Sequence, residues 1–459
     1  MERNKFFETA NLKKLFFKAA IPGALGMLFS ALYQLIDGIF VNFYVGETAF
    51  AAVNFSFPIV FMLFGISDLI GVGSSVIIAI KHGEGNRKEA DEIFSTSLFS
   101  ILMVNIVLGI IFYFSARPLL TALGAEGQLL EYSVQYLEIY AITLPLTGAV
   151  FALDNYLRIS GFVKYSMAVN IALSLYIVLF DYLFLGVFKM GMIGAPIVSC
   201  SGCFIMTLVS FIPFIFKKTY LRFGKIHFHK EYIFRVFKSG TPNFLSNISY
   251  RLSAVIFNVF LLALGGEKAV AVFGVIMYFD SFVQPLMYGM CDAVQPAIGY
   301  HYGAKNYKKV RSLNKMCFIS SLVLCIISFF IAFFFGGQFS MLFLDYTDTA
   351  LISLAAHALM VTSFVYFIKW IPYASQSFFN AVEKPLLSTI LTLMWGLGFP
   401  MLFLPLVYVM DLDGIWINNP LANVLAAILA IGFMVLVYKK YVGKENIVNF
   451  EEKEEQKAS

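Results

Sequence analysis

The chain has 459 residues, of which 59% are hydrophobic and only 13% charged, with a mean hydropathy of +0.79 and a net charge of +5. Soluble domains carry about a quarter charged residues, so a water-soluble enzyme or a nucleic-acid-binding domain is excluded and a bilayer-embedded chain is expected. Lipid offers the backbone no hydrogen bonds, so its spans are read as helices joined by short turns.

Taken in order, the apolar runs predict an all-α polytopic membrane protein of twelve helices, since a span needs about 20 apolar residues. The first six runs are Leu15–Val45, Ala49–Ile80, Ile93–Leu119, Leu129–Leu157, Tyr165–Phe188 and Ile193–Phe216. The second six are Thr241–Leu264, Ala269–Tyr300, Cys317–Phe339, Leu351–Asn380, Leu386–Met410 and Ile415–Tyr438. Residues Met1–Lys14 are polar and the first run is too long for a signal segment, so no cleavable leader is expected. All five cysteines lie in apolar segments. Cys200 and Cys203 form a CxxC without a second pair or a histidine cluster, and are read as packing residues rather than a metal or redox pair. No HExxH, GxSxG or phosphate-loop motif occurs, so neither an enzyme nor a bound cofactor is expected.

Of the 33 Lys and Arg residues, 28 lie before or at the mouth of the first run, follow an even-numbered run or lie in the tail, whereas only Arg117, Lys189 and Lys268 occupy the opposite loops. The positive-inside rule then places both termini in the cytoplasm of a multi-pass cell-membrane protein. The densest group runs from Lys217 to Lys238 and reads as a connecting strap between two halves. The acidic tail after Phe450 reads as solvated chain. The expected division is an N-terminal lobe (1–216), a basic linker (217–240), a C-terminal lobe (241–438) and a cytoplasmic tail (439–459).

A shift of about 220 residues superposes the halves almost without gaps. Pro22 meets Pro242, Gly46-Glu47 meets Gly266-Glu267, Asn86 meets Asn306, and Gly194 meets Gly414. Each half has an even number of spans, so the two are parallel repeats, and transporters built this way hold substrate between the repeats. Pro22 and Pro242 are candidate bend points.

The charges within the spans break this symmetry. Asp37 and Asp181 meet Phe257 and Met401 in register, while Arg251, Asp280 and Lys369 meet Ala31, Val60 and Ala149. A charge at membrane depth costs several kcal/mol, so it usually faces a watery path or a partner. Asp37 and Asp181 both lie about eight residues from the outer ends of their runs, with Ser199, Tyr136 and Tyr140 at similar depth. These five residues, with Gln34 on the face of Asp37, are expected to form an ion-coupling pocket. Two carboxylates in one partly dehydrated pocket do not both ionise cheaply, which suits a proton carrier. The same oxygens suit a Na+ site at Asp37 and Asp181. Asp280, paired with Arg251 or Lys369, is expected to line the substrate cavity together with Gln284 and Tyr33. Asp154 and Arg158 are spaced as a helical ion pair, Asp68 is a weaker relay candidate, and Asp292 is read as hydrated near the inner mouth.

The order and spacing of Pro22, of Leu35-Ile36-Asp37-Gly38-Ile39-Phe40-Val41, of Gly83-Glu84-Gly85-Asn86, and of Leu179-Phe180-Asp181 followed by Gly191-Met192-Ile193-Gly194-Ala195 resemble multidrug and toxic compound extrusion (MATE) transporters over nearly the whole chain. The resemblance implies two six-helix lobes in a V, rocker-switch alternating access, and export of organic, often cationic compounds against entering H+ or Na+. Its DinF-type branch carries the ion-coupling acids where this chain has Asp37 and Asp181. The carboxylates that the NorM-type branch places in the seventh and tenth helices are replaced here by the neighbourhoods of Tyr250-Arg251 and Lys369. An alternative within the same superfamily is a lipid-linked saccharide flippase, with Arg251 and Lys369 holding a phosphate. The expected partners are small-molecule substrates, H+ or Na+ and the lipid bilayer, with no nucleic acid, and the expected state is a monomer.

Overall fold

The computed structural model describes residue 7, residues 11–344 and residues 347–442. The acidic tail after Phe450 and the cations Arg3 and Lys5 lie outside the described residues. Ten helical stretches among the described residues are long and apolar enough to cross a bilayer. Two of them contain a reversal, at Gly266 (φ 62°) and Asp411 (φ 49°), and so supply two crossings each. The helices are α1 (Leu12–Tyr44), α2 (Glu47–Gly83), α3 (Arg87–Ala122), α4 (Gly127–Ile159), α5 (Val163–Val187) and α6 (Gly191–Ile215). They continue as α7 (residues 230–265), α8 (267–303), α9 (Tyr307–Ser340), α10 (349–381), α11 (385–410) and α12 (412–437).

Every expected span is present, and α3, α7 and α9 begin six to eleven residues earlier than their apolar runs. Hydropathy marks where a helix meets lipid, whereas capping marks where it starts. Asn86 Oδ1 accepts from the Glu89 amide at 3.3 Å, and Asn306 Oδ1 accepts from the Lys309 amide at the same 3.3 Å. Such caps satisfy amides that a first helical turn leaves without partners. The repeat extends to the turns, where left-handed backbone recurs at Gly46 and Gly266, Gly85 and Lys305, and Gly191 and Asp411, each pair 220 residues apart.

Uniform helices joined by short turns are not what forms. The helix of α4 is interrupted at Gly148-Ala149, three residues after Pro145. In α5 the helix widens into a π turn over Tyr182–Val187, and α10 tightens to a 3-10 turn over Phe364–Phe367. Irregular backbone at membrane depth is tolerated where it faces protein rather than lipid. The link between α6 and α7 has no regular secondary structure over residues 221–229. At Pro22 and Pro242 the backbone of α1 and α7 remains helical.

The chain divides into two compact units, residues 1–244 with 288–303, and residues 245–287 with 304–459. In the first unit α1 packs along α5, α3 against α2 and α4, and α4 against α6. The unit also takes in the link, residues 230–244 of α7 and residues 288–303 of α8, because glycines let those backbones approach α2. A Cβ on Gly240 would sit 1.9 Å from the Leu69 carbonyl oxygen, and one on Gly303 would sit 2.1 Å from that of Ile80. In the second unit α9 packs against α10, and α10 against α11 and α12.

Candidate functional site

In the first unit, α1 brings Asp37 and α5 brings Asp181 to one buried point. Asp181 is the last residue before the π turn and is fully buried, and Asp37 is 6% exposed. The two carboxyls lie within electrostatic reach of each other. Nevertheless Asp37 Oδ1 and both oxygens of Asp181 have no hydrogen-bond partner among the described residues. Leaving a buried polar atom unsatisfied costs about 1–3 kcal/mol, and more for a charged one. A proton or a small cation between the carboxyls would satisfy these oxygens.

Around the pair, Tyr136 and Tyr140 of α4 are buried, with ring centroids 5.0 Å apart, and both lie within electrostatic reach of Asp37. They belong to an apolar cluster with Val41, Phe64 and Leu144, which keeps bulk water from the carboxyls. Tyr33 is half-buried beside Gln34, Asp37 and Cys203. Ser199 is buried on α6 and makes no hydrogen bond to either carboxyl among the described residues. The fold thus brings together Asp37, Asp181, Tyr136 and Tyr140, with Gln34 and Tyr33 at the margin.

In the second unit Asp280 of α8 is fully compensated. Lys369 Nζ lies 2.5 Å from its Oδ1, and the Tyr366 hydroxyl donates to the same oxygen at 3.2 Å. The Tyr250 hydroxyl donates to Oδ2 at 3.4 Å. The partner of Asp280 is therefore Lys369, which the 3-10 turn of α10 presents. Arg251, the alternative partner expected for Asp280 within the substrate cavity, is corrected by the structure: it is exposed on α7. Helix rotation, which hydropathy does not encode, decides the difference. Gln284, one turn beyond Asp280, is half-buried. Tyr366 was not singled out from the sequence, although its position three residues before Lys369 puts both on one helix face.

A second acidic group forms at the other end of the first unit. Asp154 is held by Arg158 Nη2 at 2.6 Å, by Asn170 Nδ2 at 2.8 Å and by the Ser166 hydroxyl. Asp68, which accepts from Asn155 Nδ2 at 3.5 Å, lies within electrostatic reach of both Asp154 and Asp292. These three residues were read separately in the sequence, because α2, α4 and α8 bring them together only in three dimensions. No cluster of three or more His, Cys, Asp or Glu side chains arranged to hold a metal occurs among the described residues.

The chain matches the MatE family model over residues 22–183 and again over 242–406. The two matched segments begin 220 residues apart, the offset of the internal repeat. It is 25% identical over 449 residues to the multidrug export protein MepA of Staphylococcus aureus strain MRSA252, covering 95% of this chain and 96% of that protein. Against MepA of Staphylococcus saprophyticus it is 23% identical over 443 residues, with the same coverage. Among solved structures it is similar to an outward-facing multidrug resistance MATE family transporter of the MOP superfamily. That match has a TM-score of 0.89 and 22% identity, and covers 94% of this chain and 97% of that one. A MOP superfamily transporter of Pyrococcus furiosus described as having a binding pocket of reverse polarity gives a TM-score of 0.87 at 21% identity, covering 96% and 99%. A doubled family match over most of the chain, with twelve helices among the described residues, shows that this protein belongs to the MATE family of membrane transporters.

Proposed function

We propose that the protein exports organic, often cationic and amphipathic compounds across the cell membrane in exchange for entering H+ or Na+. Support for the substrate class comes from the relatives, which are named multidrug export proteins. Support for ion coupling rests on one observation, the buried Asp37–Asp181 pair with three unpartnered oxygens. Binding one H+ or Na+ there removes the repulsion between the carboxyls, and releasing it restores that repulsion. Occupancy therefore changes how tightly α1 and α5 hold together.

In the proposed cycle this change biases a rocker-switch alternation. Ion binding from outside favours one state, and substrate binding from the cytoplasm favours the other. One charge entering across about 100 mV releases about 2.3 kcal/mol, enough for a roughly fortyfold gradient of an electroneutral substrate. Arg117, Lys189 and Lys268 then mark the outer loops, and both termini are cytoplasmic. The lipid-linked saccharide reading draws less support, since Lys369 is already neutralised by Asp280.

The test is reconstitution in proteoliposomes with a pH-sensitive dye, with and without Na+. Adding a cationic drug should release protons, or should do so only when Na+ is absent from the competing side. Asp37→Asn should abolish the response while drug binding persists. Undiminished ion exchange in Asp37→Asn would overturn the coupling role.

A further inference from the structure

The link from α6 to α7 does more in the structure than join two helices. Its irregular chain is strapped to α3 by hydrogen bonds from its own amides. The Arg222 amide donates to Asp91 Oδ1 at 2.8 Å, the Gly224 amide to Ser95 Oγ at 2.7 Å, and the His227 amide to Thr96 Oγ1 at 3.1 Å. At its start, the Tyr220 ring stacks on His82 and lies under the Arg87 guanidinium, whose Nη2 also donates to the Tyr220 carbonyl. Residues 220–228 therefore follow α3 from Arg87 towards Phe99, whose ring meets that of Phe228.

This path sets the depth of the strap. The apolar run of α3 begins at Ile93, so the Thr96 and Phe99 level lies where headgroups give way to acyl chains. Near that level the link exposes Phe223 (54%) and Phe228 (56%), whose rings meet Phe94 and Phe99, and at its start it exposes Phe216 (67%). The link and the first turns of α7, residues 216–238, also expose six cations, at Lys217, Lys218, Arg222, Lys225, Lys230 and Lys238, against a single exposed acid, Glu231. Apolar groups interleaved with cations and aligned with the edge of the hydrocarbon are the composition that binds anionic lipid surfaces. Since the strap is already fixed to α3, binding does not have to order it.

We propose that residues 216–230 form a binding surface for anionic phospholipid headgroups, with the phenylalanines seated at the acyl boundary and the cations on the phosphates. Its placement in the inner leaflet follows from the orientation proposed above, and the lipid contact itself is independent of the ion-coupling mechanism.

The test uses the full chain in nanodiscs, with Ile226→Cys carrying a fluorophore, the five native cysteines being buried. Brominated phosphatidylglycerol in a phosphatidylcholine matrix should quench the label several-fold more than brominated phosphatidylcholine at the same mole fraction. The preference should fall as salt is raised, in the unaltered strap itself. Lys217→Gln, Lys218→Gln, Arg222→Gln and Lys225→Gln combined should remove it, at about fivefold in apparent affinity per cation. The same number of neutralisations at Lys13, Lys14, Lys308 and Lys309 should leave it in place, and inorganic phosphate should not compete. Equal quenching by both lipids, a salt-independent preference, equal loss in the control variant, or occupation by a soluble acidic polypeptide instead of lipid would each overturn the proposal.

Discussion

Asp37 and Asp280 are both buried aspartates in membrane spans, and their surroundings give them opposite expected behaviour. Asp280 has a cation and two hydroxyl donors, so its charge is matched in place. Removing one member of such a pair leaves an uncompensated buried charge, at a cost of about 3–5 kcal/mol. Lys369→Met alone should therefore lower thermal stability sharply, and adding Asp280→Asn should recover most of the loss in the same unfolding assay. A double variant as unstable as the single would contradict this pairing. Asp37 and Asp181 should instead tolerate neutralisation in folding and lose ion exchange. Because the two act as a unit, the double Asn variant should be little worse in drug-driven ion release than either single. Additive losses accompanied by falling expression would indicate a structural role.

At the scale of elements, glycines and caps carry the consequences. Gly240 lets α7 touch the Leu69 carbonyl of α2, so Gly240→Val must push the helices apart. Overpacking of this kind costs about 1–3 kcal/mol, and unfolding midpoints should fall accordingly. The N-terminus of α10 is capped by Asp348, whose Oδ1 accepts from the Leu351 amide at 3.0 Å while Lys268 Nζ lies 2.6 Å from its Oδ2. The hydrogen bond from Lys268 holds the Asp348 carboxyl below the ordinary carboxylate value of 3.8. A group depressed in the folded state stabilises above its unfolded value, and that contribution is lost as pH falls through the folded one. Protection of the Leu351 amide from hydrogen exchange, corrected for intrinsic rate, should thus hold at pH 5–7 and drop only below about pH 4. Asp348→Ala, which removes the accepting oxygen, should show several-fold faster exchange at neutral pH, and unchanged protection would refute the cap.

For the molecule as a whole, orientation follows from charge and is open to direct test. A single cysteine at Thr48, in the first turn of α2, should react with an impermeant thiol reagent from outside. One at Lys308, at the start of α9, should react only after the membrane is opened. The reverse pattern would invert the topology and move the lipid-binding strap to the outer leaflet. Twelve spans, the 220-residue repeat and the acids Asp37 and Asp181 were legible in the sequence, because hydropathy, loop charge and a rare carboxylate in an apolar run act locally. Those signals carry no information on rotation about a helix axis or on packing between distant helices. Only the tertiary structure decided that Lys369 rather than Arg251 neutralises Asp280, and that Asp68, Asp154 and Asp292 share one place. It also decided that a stretch legible only as a basic connector lies strapped along α3, because the backbone amides of that stretch find their partners on a helix more than a hundred residues earlier.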